Sequence, residues 1–139
     1  MRVIQRRVTF QLSRALSPNV PAAEQLPPLN ALCHALYVCN LDWLEANPDA
    51  PSILSGHVRY ALDPRGIERW LDIGQLHERK RGDCKSIASA VAAELTVAGM
   101  RAVPMVVPTN EVRPDFHVVV ATDRGIYDPS ITLGMPVQG

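Results

Sequence analysis

Residues 82–99 read GDCKSIASAVAAELTVAG, and this stretch decides the fold. Cys84, Ile87, Ala88, Val91 and Leu95 fall at i, i+3, i+4, i+7 and i+11, one stripe of a helix. The segment is rich in Ala, a strong helix former, and Gly99 supplies a C-terminal stop. Cys84 thereby falls in the first turn, on the core-facing stripe. Downstream the period changes. Ala102 to Val107 is a short apolar run whose Pro104 suggests a sheet edge or a strand start. Residues 116–121, FHVVVA, predict a buried strand. Asp123-Arg124-Gly125 is a turn signal, Ile126-Tyr127-Asp128 would pair back as a hairpin, and Pro129 ends it. Helices first and strands after predict an α+β domain with an antiparallel sheet.

Upstream, Pro18, Pro21, Pro27 and Pro28 predict a loop or extended connector over 17–28. Leu29, Leu32, Cys33, Leu36, Cys39, Trp43 and Leu44 follow helical spacing, which predicts a helix over 29–46. Residues 47–66 read mostly as a long loop, and 67–76 as holding a short helix that carries Trp70. The first 23 residues carry Arg2, Arg6, Arg7 and Arg14 with no acid. An Arg-rich, acid-poor start can be a transit peptide, but Val8, Phe10 and Leu12 alternate with Thr9 and Gln11, the period of a strand. The organisation expected is a strand and Pro-rich arm over 1–28, then one domain over 29–139.

Composition narrows the function. The chain has 139 residues, enough for one domain, and its 5% aromatics leave the core to Ala, Val, Leu and Ile. Fourteen basic residues balance fourteen acidic ones, which argues against nucleic acid as a partner. No apolar run approaches the length of a transmembrane helix, so no membrane partner is expected. Three cysteines (33, 39 and 84) are an odd number without a disulfide framework, which suits a reducing compartment or a catalytic thiol.

Cys84 is the candidate nucleophile. A helix N-terminus carries partial positive charge and free N–H groups. The run Arg79-Lys80-Arg81-Gly82-Asp83-Cys84-Lys85 holds four bases and one acid. Both features favour thiolate, and the same N–H groups could form an oxyanion hole. Gly82 would let a substrate approach the backbone. His117 is the candidate base, in a strand position that packing alone would fill with an aliphatic residue. Asp128 is the candidate orienting acid, brought near His117 by the hairpin. Each has a plainer explanation: a small buried hydrophobe, a satisfied sheet residue, a turn residue. It is the order Cys-His-Asp, on a helix start and two following strands, that joins them. Cys33, His34 and Cys39 lack the paired spacing of a zinc site and read as core helix. His57 and His77 read as solvated.

The segments RGDCKSIASAVAAELTVAGMRA, FHVVV and GIYDPS resemble, in order, the three triad motifs of the transglutaminase-like superfamily, which has the papain-like fold. The resemblance covers about residues 68–135. With DPRG-IERW before the cysteine and DPSITLGM at the end, the chain looks like the small members encoded by bacteriophages and prophages. It implies a papain/transglutaminase-like core, with the nucleophile-bearing helix packed on a small antiparallel sheet. Cys84 would be nucleophile, His117 general base and acid, and Asp128 the orienting residue, with Trp70 or Gln75 completing the oxyanion hole. Val118 and Val119 stand where larger members often carry an aromatic, and Lys85 where small ones often carry an acid. The activity implied is a cysteine protease or other hydrolase, or an acyl transferase, acting on an amide or peptide bond through a thioester, with no cofactor or metal. The partner implied is a protein or peptide substrate. The alternative is a structural adaptor of a phage-like particle that keeps the fold and docks on other particle proteins through residues 1–28. The settings implied are the cytoplasm of a bacterial host and the virion.

Overall fold

The computed structural model describes residues 22–64, 67–110 and 115–136. The strand expected near the N-terminus lies outside these residues, as does most of the expected arm. Within them the architecture is mixed α+β.

Its centre is a helix, α3 (Cys84–Val97), in which every residue from Lys85 to Ala93 is buried. A helix buried all round must be covered on every side. Small Ala and Ser side chains suit it to that place, because they let neighbours approach closely. α1 (Ala22–Ala46) packs along it, and so does a sheet of three antiparallel strands in the order β3 (Ala102–Asn110), β4 (Asp115–Thr122), β5 (Gly125–Tyr127). β3 is an edge, as Pro104 suggested. Pro104 lies opposite Val120, and Val106 opposite Val118. β5 pairs only with Val120–Thr122, so it stops short of His117. The remaining elements are a 3-10 turn (Ile53–Ser55), α2 (Ile73–Arg79), a two-residue parallel pair of β1 (Arg59–Tyr60) with β2 (Arg81–Gly82), and α4 (Pro129–Thr132). Gly99 ends α3 as expected: at φ 97°, it donates to the Thr96 carbonyl, and Met100 donates to that of Leu95.

Two expectations are corrected. α1 starts at Ala22, not at 29, and runs through Pro27 and Pro28. Proline lacks an N–H, so the helix forgoes its bonds to the carbonyls of Ala23 and Glu24, a loss confined to its N-terminal turns. Trp70 precedes its helix rather than riding on it. Asp72 caps α2 by accepting from the Gln75 N–H, and the Gln75 side chain accepts from the Asp72 N–H in return.

Gly82 is buried, and a Cβ there would collide with the buried Leu76 side chain. Its lack of a side chain therefore serves close packing ahead of Cys84. Gly82→Ala is expected to destabilise the fold by about 1–3 kcal/mol, the cost of overpacking. Urea unfolding of both proteins measures it, and a change below about 0.5 kcal/mol, typical of an innocuous surface substitution, would contradict this packing role.

Candidate active site

The hairpin brings two of the three expected residues into direct contact. His117 Nε2 and an Asp128 carboxylate oxygen lie 2.6 Å apart, on side chains that are each about one-fifth exposed. The other carboxylate oxygen of Asp128 accepts from the Ser130 N–H at 3.1 Å, so the residue also caps α4, with Pro129 as its first helical residue. One side chain thus holds the imidazole and starts a helix.

Cys84 lies near the same strand: the backbone N–H groups of Val118, the residue after His117, and of Lys85 at the helix start both favour its thiolate. No hydrogen bond joins Cys84 to His117 among the described residues. Alternation along β4 accounts for this. Val118 and Val120 belong to the core and Phe116 packs against it, so His117 and Val119 project to the other face.

The thiolate expected from the basic run is also corrected. Burial pushes the Cys84 thiol above its ordinary value, and Asp83 adds to the rise, against the pull of the two N–H groups and Lys85. The fold explains why the bases do not win. Arg79, Lys80 and Arg81 are exposed. Lys85 is buried and shared among Asp63 at 3.4 Å, Glu68 at 2.8 Å and Asp83, which it touches most closely. Burial opposes the Lys85 charge, but its bonds to Asp83 and Glu68 outweigh that and keep it protonated. For Asp83 the balance runs the other way: burial raises its pKa and Asp63 adds to the rise, which Lys85 offsets only in part. Asp83 turns to Lys85 and makes no side-chain cap hydrogen bond to α3, although the nearby Ser86 N–H still favours its charged form. The three carboxylates have the proximity of a cation site, and the Lys85 ammonium is what binds to all three.

Sequence reasoning missed this cluster, and also Tyr60. Burial raises the Tyr60 pKa, and Cys84, Asp83 and Asp128 raise it further, so the phenol stands within electrostatic reach of all three. Of the proposed oxyanion partners, Gln75 is committed to its helix cap, and Trp70 lies under the Lys85 ammonium, 5.5 Å from its ring centre. Cys33 is buried in the core of α1 with its thiol pushed up to about 12, mainly by burial.

His57 and His77 are not simply solvated. His57 Nε2 and His77 Nδ1 lie 2.6 Å apart, with the rings stacked and Trp43 tilted against His77. Burial, then His57, lowers the His77 pKa, against a small opposing pull from the Pro51 carbonyl. The unfolded chain therefore binds this proton more readily than the fold does. The stability that follows is fully present above the unfolded value of about 6.5 and is lost as pH falls below it toward the lower folded value. His77→Gln is expected to flatten urea-unfolding stability between pH 7 and 5 relative to the parent. Parallel slopes in the two proteins would refute it.

No helix among the described residues is long and apolar enough to cross a membrane. No known family model matches the sequence, and no curated protein or solved structure matches it.

Proposed function

We propose that the chain is a cysteine hydrolase or acyl transferase of transglutaminase-like type with a papain-like core, acting on an amide bond. The observation that supports it most is the His117–Asp128 pair at 2.6 Å. The pair commits Nε2 to the carboxylate and leaves Nδ1 as the ring nitrogen for a thiol. The Cys84 sulfur feels the pull of the peptide N–H that follows His117. Alternation puts His117 on the face of β4 away from the core, so this reading requires its ring to turn toward the Cys84 sulfur when substrate binds, a larger adjustment than the tightening of a loose hydrogen bond.

Because burial keeps Cys84 as a thiol, this reading needs a base. The proton passes from sulfur to His117 Nδ1 as sulfur bonds to the carbonyl carbon. Backbone N–H groups at the start of α3 receive the oxyanion. His117 then gives the proton to the departing amine, the C–N bond breaks, and a thioester remains. Water or a second amine opens it, with His117 again taking and returning a proton. Water gives hydrolysis and an amine gives transfer.

A second reading, the particle adaptor, draws on the same site. A thiol raised by burial and an Asp that caps a helix also suit an inherited fold without turnover. Iodoacetamide labelling of the native protein, mapped by peptide, separates the two. The enzyme reading expects Cys84 to label first, well ahead of buried Cys33 and of Cys39. Equal labelling of all three, or protection of Cys84 at neutral pH, would favour the adaptor.

A further inference from the structure

A cavity of about 150 Å³ lies beside the start of α3, lined by Leu62, Asp63, Arg69, Arg79, Arg81 and Gly82 among others. Three arginines meet one acid there, and that acid, Asp63, is already engaged by Lys85 and by the Arg69 N–H. None of the three arginines makes an ion pair among the described residues. Lys80, in the left-handed region at φ 60°, turns the chain between Arg79 and Arg81 so that both border the same space. The volume equals that of about five waters, well below the size of a cofactor or drug-sized pocket. It suits a single side chain. Gly82 is two residues from Cys84, so the cavity wall lies within about 7 Å of chain from the nucleophile position.

We propose that this cavity is a subsite for the carboxylate of an acidic residue in a peptide substrate, close to the bond that Cys84 attacks. The proposal rests on the cysteine-hydrolase reading above. Guanidinium groups bind carboxylates in pairs of parallel hydrogen bonds, which gives position as well as charge. Leu62 is 78% exposed at the cavity rim and offers an apolar contact to the same chain.

The test follows backbone amide shifts of Ala61, Arg69, Arg81 and Gly82 in the ¹⁵N-labelled full chain. Acetyl-Gly-Glu-amide and acetyl-Gly-Gln-amide are titrated separately at low salt. The Glu peptide is expected to move these amides at about fivefold lower concentration than the Gln peptide, the scale of one surface ion pair. The preference should disappear in Arg79→Gln/Arg81→Gln, two exposed positions where folding is spared, and in the parent at high salt. Equal shifts from both peptides, or none from either, would overturn the subsite. Inorganic phosphate moving the same amides as far as the Glu peptide would assign the cavity to a free anion and overturn it as well. The chloroacetyl forms of the two peptides test the thiol separately, by alkylation with loss of chloride. Failure of both to label Cys84 would count against the hydrolase reading while leaving the shifts to judge the cavity.

Discussion

Replacing Lys85 with Met should lower the unfolding free energy by about 3–5 kcal/mol, the cost of leaving buried carboxylates without their cation. The Lys85 side chain is 8% exposed, and Asp63 and Asp83 are 14% and 11% exposed, so water cannot take its place. Glu68 is 77% exposed. Glu68→Gln should therefore cost about 1 kcal/mol or less, as at other surface pairs. Urea unfolding of the two variants beside the parent measures both. If Lys85→Met falls within 1 kcal/mol of the parent, the ammonium is not the anchor of this cluster.

Asp128→Asn should slow acylation of Cys84 by p-nitrophenyl acetate by about 10²-fold while leaving the melting temperature nearly unchanged. In a serine triad the same change costs about 10⁴-fold, and a thiol depends less on its base. The separation of effects follows from the two uses of the carboxylate. Asn caps a helix about as well as Asp, so the bond to the Ser130 N–H survives. The amide that then faces His117 Nε2 carries no charge and favours the wrong tautomer. Asp128→Ala should lose both functions, with about 1 kcal/mol of stability going with the cap. Full acylation rates in Asp128→Asn would reduce the residue to a helix cap.

The parts of the fold that were legible in sequence are those set by local pattern. The stripe from Cys84 to Leu95 and the stop at Gly99 are short-range signals, and α3 has both. The turn at 123–125 pairs Val120–Thr122 with Gly125–Tyr127, and Asp128 follows directly on that pairing, which is how the sequence alone could bring it toward His117. What escaped depends on distant partners. Asp63 and Glu68 lie about twenty residues before Lys85, and only the fold brings their carboxylates to its ammonium. With Lys85 neutralised in this way, a basic run in sequence does not become a basic environment at the sulfur. The strands at 59–60 and 81–82 are too short to show a period, and Tyr60 came to the site with the first of them. Pro27 and Pro28 misplaced the start of α1, because proline argues against a helix more strongly than two N-terminal turns require.

The claim at the centre of this account is that His117 serves as the base for a Cys84 thiol that burial holds protonated. The rate of Cys84 alkylation by iodoacetamide between pH 5 and 10, in the parent and in His117→Gln, tests it most directly. The parent is expected to react well near neutral pH. His117→Gln should be at least about tenfold slower at pH 7 and recover only toward the raised pKa of the isolated thiol. Superimposable profiles for the two proteins would contradict the account, because His117 would then have no hold on the sulfur.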